Sequence, residues 1–436
     1  MSLNLKHIVL DSQLKVLLIP LKSKNNISIS LSFNVGHIDE NKKQTGICHL
    51  LEHIICLYLS KNTVINKIRS EGGYIYSNAY TNEFRTSYYY NSNNLYLEDL
   101  IQVLYQIYFI KKLDKSLLIK EKKAIEVELK QILGDKDKYA LYKSLPLIMF
   151  GDTPIVLDPE EHLKNLSKIT EKDLLKFMKE NYTLENSVLL ISGDFNTKNI
   201  LKIIKNKFNF NLNRCPSNIL SNRIELFNKI KMPKTRYVFV KSVVKRVNSV
   251  YLHFFINDVH NYKKKGVFEV LKVLLSKLSD ESILFKVLRS KYGLTYSSHI
   301  MSEFNNHYGG MIIHYTIDPK KLDSVLKKTV SILNNLDDYI NTNNLKSAKN
   351  KLFYDLNLKL SNNDPSKFQW YLDMIHNDQL VIDSSTFYNK YIKTVTKKDI
   401  IEFCKDTFTS NNCYLCVVGV NPPNKNDLLS IIKNLD

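Results

Sequence analysis

Apolar and polar positions follow two different periods along this chain. In NISISLSFNVG, Ile27, Ile29, Leu31, Phe33 and Val35 recur at every second position, which predicts a half-buried strand. SVYLHFFIN, at 249–257, predicts another, and the opening MSLNLKHIVLDSQLKVLLIP reads as two more. GICHLLEHIIC, at 46–56, instead places Leu50, Leu51, Ile54 and Ile55 at helical spacing. Strands and helices alternate in this way through both halves. The predicted fold class is therefore α+β, with helices packed on a largely antiparallel sheet in each half.

The pattern repeats. TEKDLLKFMKENYTLENSVLLISG (170–193) matches TKKDIIEFCKDTFTSNNCYLCVVG (396–419) without a gap, and each copy reads as a capped amphipathic helix followed by a strand. IRSEGGYIYS (68–77) matches LRSKYGLTYS (288–297), with Arg69 over Arg289 and Tyr76 over Tyr296. Extending that register backwards lays Gly46 over Gly266 and HLLEH (49–53) over EVLKV (269–273). The second copy keeps the helix and loses the histidines. With 436 residues, too many for one ordinary core, two homologous domains are expected: 1–210, a linker at 211–232, and 233–436.

Composition changes little. The hydrophobic fraction of 44% and charged fraction of 24% are those of a globular protein. No run reaches the roughly 18 apolar residues of a membrane helix, and the first residues lack the order of a signal or transit peptide, so a cytoplasmic location is expected. Six cysteines without a disulfide pattern agree with a reducing compartment, and Cys413 and Cys416 read as core residues of a strand. The net charge of +19 comes mostly from lysine, since arginines number seven. It is scattered, with no compact basic block or nucleic-acid module, so nucleic acid is not an expected partner.

The polar residues inside the 46–56 helix carry the chemistry. His49 and His53 are four apart and share a face, with Glu52 on the flank; burying them unpartnered would cost several kcal/mol. His-x-x-Glu-His is the inverted zincin arrangement, in which two imidazoles hold Zn²⁺ and the glutamate acts on water. A catalytic zinc site takes three protein ligands, so one more is required. The helix IKEKKAIEVELKQIL (119–133) offers Glu121 and Glu128, two turns apart on one face, while Glu126 points elsewhere. Taken alone, that helix reads equally as a solvated, lysine-rich surface.

The constellation resembles the pitrilysin/insulinase family of metallopeptidases, in particular the short two-domain branch that includes mitochondrial processing peptidase subunits. In that family a glutamate ligand follows the motif, with a second glutamate seven residues before it. Here Glu128 lies 75 residues after His53, and Glu121 seven before Glu128. GGYIYSNAYTNEFRTSYYY (72–90), the stretch 150–195 and LFKVLRSKYGLTYSS (284–298) are similar to further family segments. The resemblance implies one Zn²⁺ per chain on His49, His53 and Glu128, with Glu52 as general base and Glu121 orienting a histidine. It also implies that Asn78 and Ala79 pair with a substrate backbone and that Arg289 and Tyr296 contact the scissile carbonyl. The implied activity is that of a zinc endopeptidase on short or unfolded polypeptides, leader or signal peptides among them. A closed chamber of four such domains would require a homodimer or a related subunit, with Arg289 and Tyr296 acting on the zinc site of the other chain. Cys48 and Cys56 depart from the family pattern, and a thiolate there would interfere. The rival expectation is a non-catalytic scaffold or regulatory subunit of a peptidase complex.

Overall fold

The computed structural model describes residues 5–22, 25–210, 219–230, 236–243, 246–258, 260–304, 307–361, 368–376 and 379–435. They form two compact units. The first comprises Met1–Gln131, Leu157–Lys229 and Leu358–Asp383; the second comprises Ile132–Val156, Ile230–Asn357 and Ser384–Asp436.

Each unit is helices on a mostly antiparallel sheet, as the alternating periods predict. The strands are β1 (Lys6–Val9), β2 (Lys15–Pro20), β3 (Asn26–Phe33), β4 (Ile75–Thr81), β5 (Thr86–Asn93) and β6 (Ser187–Gly193) in the first unit. The second has β7 (Tyr237–Lys241), β8 (Asn248–Ile256), β9 (Ser297–Phe304), β10 (Gly309–Ile317) and β11 (Cys413–Gly419). The sheet orders are β1-β2-β6-β3-β5-β4 and β7-β11-β8-β10-β9. Among the described residues only the β2–β6 and β7–β11 pairs are parallel. The two opening strands are β1 and β2.

The repeated helix–strand segment forms the same device twice. Thr170 and Thr396 each cap a helix (Glu171–Asn181 and Lys397–Thr407) in a reciprocal box with Asp173 and Asp399. The matched asparagines behave alike: Asn186 donates to the carbonyl of Asn181 at 2.9 Å, and Asn412 to that of Thr407 at 2.8 Å. Cys413 and Cys416 are buried free thiols of the interior strand β11. Gly46 and Gly266 both permit close approach, because a Cβ would collide with the His162 ring at one and the Tyr391 carbonyl at the other.

Strand β3 departs from the half-buried expectation: Ser28, Ser30 and Ser32 are as buried as the apolar residues between them. The helix Gln369–His376 covers the serine face. His376 bonds the Ser32 hydroxyl through a ring nitrogen at 3.1 Å, and Ser87 donates to Ser32 at 2.8 Å. Arg85 ties this helix to the β4–β5 turn, pairing with Asp373 and donating to the Gln369 carbonyl at 3.1 Å. Strand β8 is likewise buried on both faces.

The linker expectation also needs correction in part. Residues 211–218, 231 and 232 lie outside the described residues, but Ile219–Lys229 is a helix of the first unit. Its Arg223 is only 2% exposed. Arg223 Nε and Nη2 meet the two oxygens of Asp39 at 2.9 and 2.5 Å, Nη1 meets Asn34 Oδ1 at 2.8 Å, and Nη2 meets the Phe84 carbonyl at 2.8 Å. Such a buried cation is tolerable because its donors are satisfied.

The capping boxes give a direct test of the repeated device. Thr170→Ala and Thr396→Ala are each expected to lower stability by about 1 kcal/mol. Urea unfolding of the full chain checks this, with Thr394→Ala, whose hydroxyl only reaches back to the Lys390 carbonyl, as the comparison.

Candidate active site

The motif helix, Ile47–Ser60, buries Ile47, Leu50, Leu51, Ile54, Ile55 and Leu59. That apolar face fixes the opposite one, where the His49 and His53 rings lie 4.7 Å apart, edge to face. The helix start has no side-chain cap of its own: Gly46 stands there with φ of +95°. The carboxylate of Glu40 substitutes, accepting the Gly46 N–H at 2.7 Å and the Cys48 N–H at 2.9 Å. Burial pushes the Glu40 carboxyl up to about 7 against these bonds.

The second helix, Lys115–Gly134, buries Leu118, Ile125 and Leu129 and thereby turns Glu121 and Glu128 toward the histidines. Glu126 instead pairs with Lys130 at 2.6 Å. Glu121 is buried against His53, with Oε2 at 3.1 Å from Nδ1. A carboxylate oxygen accepts, so Glu121 takes the Nδ1 side of His53 and the Nε2 side is directed toward Glu128. Glu128, its side chain 46% exposed, reaches both rings: one oxygen is 3.5 Å from His49 Nε2 and the other 3.7 Å from His53 Nε2. One donor atom from each of the three residues falls within 4.8 Å of the others. Burial, then the neighbouring His53 and His162, push the His49 imidazole down to about 3. One nitrogen of each histidine and a carboxylate oxygen converge into a donor set that suits Zn²⁺ in its borderline-soft chemistry.

Glu52 lies on the flank of the pair. Burial raises its carboxyl above the ordinary range, and hydrogen bonding to Thr81 pulls the other way. Thr81 is the last residue of β4, the terminal strand of its sheet. The site thus adjoins a sheet edge. On that strand Asn78 Oδ1 accepts the Ala79 N–H at 2.9 Å, and its amide reaches the Tyr76 hydroxyl at 3.4 Å. Cys48 and Cys56 are not thiolates: burial pushes both thiols up, with Glu40 adding to the effect at Cys48 and Glu52 at Cys56.

Arg289 and Tyr296 belong to the second unit. The Arg289 guanidinium lies 4.7 Å from the centre of the Tyr296 ring, which is 77% exposed. In that unit the helix Tyr262–Ser276 replaces the motif with an ion pair. Lys272, at the position of Glu52, meets Glu269, at the position of His49, at 2.7 Å, and also reaches Ser302 at 3.3 Å.

Sequence reasoning missed four participants: Glu40, Thr81, His162 and Arg223. His162 is buried with both ring nitrogens unbonded, its ring 5.7 Å from that of His49. Its proximity to Gly46 gives no periodic signal. Glu40 alone had a legible cue, a carboxylate shortly before a helix start.

Comparison with known proteins agrees with this geometry. Residues 15–155 match the family model "Insulinase (Peptidase family M16)", and residues 168–352 match "Peptidase M16 inactive domain". The probable mitochondrial-processing peptidase subunit beta of Arabidopsis thaliana is 26% identical over 43% of this chain and 35% of its own length. The match therefore spans only about a third of that relative. An uncharacterized zinc protease of Rickettsia felis is 22% identical over 79% of this chain and 81% of its own. Among solved structures, a protease from Helicobacter pylori superposes with a TM-score of 0.80 at 17% identity, covering 96% of this chain and all of that one. A chain of Complex III2 from Candida albicans gives 0.78 at 13% identity, over 98% of this chain and 99% of that one. The fold, the convergent histidines and carboxylates, and the two adjoining matches together place this chain in the insulinase (M16) family of peptidases.

Proposed function

We propose that the chain is a zinc-dependent endopeptidase, with His49, His53 and Glu128 as ligands of one Zn²⁺. The observation that carries this is the convergence of His49, His53 and Glu128, one donor atom of each within 4.8 Å of the others, with His53 held through Nδ1 by Glu121. Zinc, when bound, supplies Lewis acidity toward a carbonyl and toward water. Glu52, raised by burial and steadied by Thr81, takes the proton of the attacking water and returns it to the leaving amine as the C–N bond breaks. Asn78 and Ala79, on the terminal strand, would receive an extended peptide by strand addition, which favours short or unfolded polypeptides such as leader or signal peptides. Arg289 and Tyr296, with an exposed phenol, would stabilise charge developing on the scissile carbonyl. A homodimer, or a pair with a related subunit, would close the chamber and deliver them to the other chain's zinc.

A second reading is a non-catalytic subunit. The match of residues 168–352 to a domain described as inactive, and the ion pair in place of a motif in the second unit, favour it. Zinc stoichiometry separates the two: the peptidase reading expects about one ion per chain by mass spectrometry.

Glu52→Gln is expected to lower cleavage of a quenched peptide by about 10²–10⁴-fold while zinc content stays unchanged. Equal product patterns from wild type and variant would assign the cleavage to another site. Glu121→Gln should weaken zinc binding by about 10–100-fold in chelator competition, since its amide can present a donor to the nitrogen it now accepts from. Mixing Glu52→Gln chains with Tyr296→Phe chains should restore part of the activity lost in each. Stable mixed dimers without activity would show that the pair does not act across chains.

A further inference from the structure

The stretch between β3 and the motif helix joins the two elements that the proposed reaction must align. Its residues 36–40 bond in two directions. On one side, the His37 and Ile38 N–H groups donate to the carbonyls of Asn82 and Glu83, in the turn that follows β4. On the other, Glu40 holds the first N–H groups of the motif helix at 2.7 and 2.9 Å. Arg223 fastens the middle. It grips both oxygens of Asp39, it bonds the Phe84 carbonyl of the same turn at 2.8 Å, and its guanidinium lies 5.3 Å from the centre of the Phe84 ring. Asp39 in turn accepts the Gly36 N–H at 2.9 Å.

The duplicate starts this helix directly on an asparagine turn. In the second unit the equivalent helix begins at Tyr262 on a local cap, Asn261, whose side chain accepts the Lys263 and Lys264 N–H groups at 3.0 and 3.2 Å. By the repeat register Asn261 corresponds to Asn41, which keeps the same bond by accepting the Lys43 N–H at 3.0 Å, but there the turn Lys42–Gln44 stops short and the helix starts at Ile47, more than a turn later. The first unit adds the buried carboxylate of Glu40 at that later start, next to the Asp39 that Arg223 grips.

We infer that Arg223 is a positioning residue of the candidate site. Through Asp39 and Glu40 it fixes the motif helix against the β4–β5 turn, and so sets Glu52 and the two histidines in register with Thr81 and the strand edge. This inference rests on the peptidase reading. An ångström of slip between base and bound peptide costs about a hundredfold in rate, whereas peptide affinity, drawn from the strand edge, is little affected.

The test compares wild type, Arg223→Lys, Asp39→Asn and Ile204→Ala as full chains. Ile204 is buried in the helix Thr197–Lys207, outside the hydrogen bonds around Arg223 and Glu40, and supplies a loss of stability. Asp39→Asn keeps the shape of Asp39 and covers the case in which Arg223→Lys does not fold. The readouts are thermal unfolding, zinc affinity by chelator competition, the visible spectrum of the Co²⁺-substituted protein, and kcat and KM on a quenched peptide. The expected result is a fall in kcat of about tenfold to a hundredfold for Arg223→Lys and Asp39→Asn, KM within about twofold, and a shifted Co²⁺ spectrum. Ile204→Ala should lose stability with kcat and spectrum as in wild type. If the Arg223 and Asp39 variants match Ile204→Ala in all but stability, Arg223 only holds the fold and the inference is overturned. If wild type itself holds no zinc and cleaves no peptide, the peptidase reading falls and takes the inference with it.

Discussion

The hydrogen bond between Glu121 and His53 Nδ1 is the interaction on which the rest of the site depends. At 3.1 Å it holds the Nδ1 side of His53 and so decides which side of the ring faces its neighbours. Nε2 is thereby directed toward Glu128, and burial pushes the His49 imidazole down to about 3. Glu128 stands 3.5 and 3.7 Å from the two Nε2 atoms, beyond a normal hydrogen bond. Two rings and a carboxylate from separate helices are thus turned to one point, each offering a donor atom within 4.8 Å of the others.

The second unit shows what the same helix does without that chemistry. Glu269 and Lys272 occupy the positions of His49 and Glu52 and neutralise each other at 2.7 Å, with Ser302 taking a further donor of the ammonium. Val273, buried, stands for His53. Charge balance there is internal. In the first unit the corresponding face instead meets Glu121 and Glu128 of another helix, while the order of the strands is alike in both sheets. The polar residues of the motif are thus not a requirement of the packing.

Much of this was legible because it repeats at short range. Cap residues, strand alternation and the seven-residue spacing of Glu121 and Glu128 are local signals, and each reappears in the structure at its predicted place. What escaped depends on distant parts of the chain meeting. The serine face of β3 reads as solvent-facing, because alternation reports only that two faces differ; the helix Gln369–His376, over 300 residues away, dries it. Arg223 sits in a stretch whose composition suggests a linker, and only the folded chain reveals Asp39, Asn34 and Phe84 around it. His162 and Gly46 are related by close packing alone, which leaves no pattern in either sequence neighbourhood.

The duplication itself divides the residues into two kinds. Those shared by both units, such as the Thr–Asp capping boxes, the paired asparagines and the close-approach glycines at 46 and 266, satisfy backbone groups or permit contact, and so belong to the fold. Those present in one unit only have no such common duty. His49, Glu52 and His53 fall in this second group, and so does Glu40, whose position is His260 in the other unit while the asparagine turn beside it, Asn41 or Asn261, is common to both. A buried carboxylate pushed up to about 7 is costly to keep, and the first unit carries it in addition to its asparagine turn. Its retention beside the histidines makes sense only if the helix start must be held from the side of the β4–β5 turn, a demand that arises from aligning a base with a strand edge and not from folding.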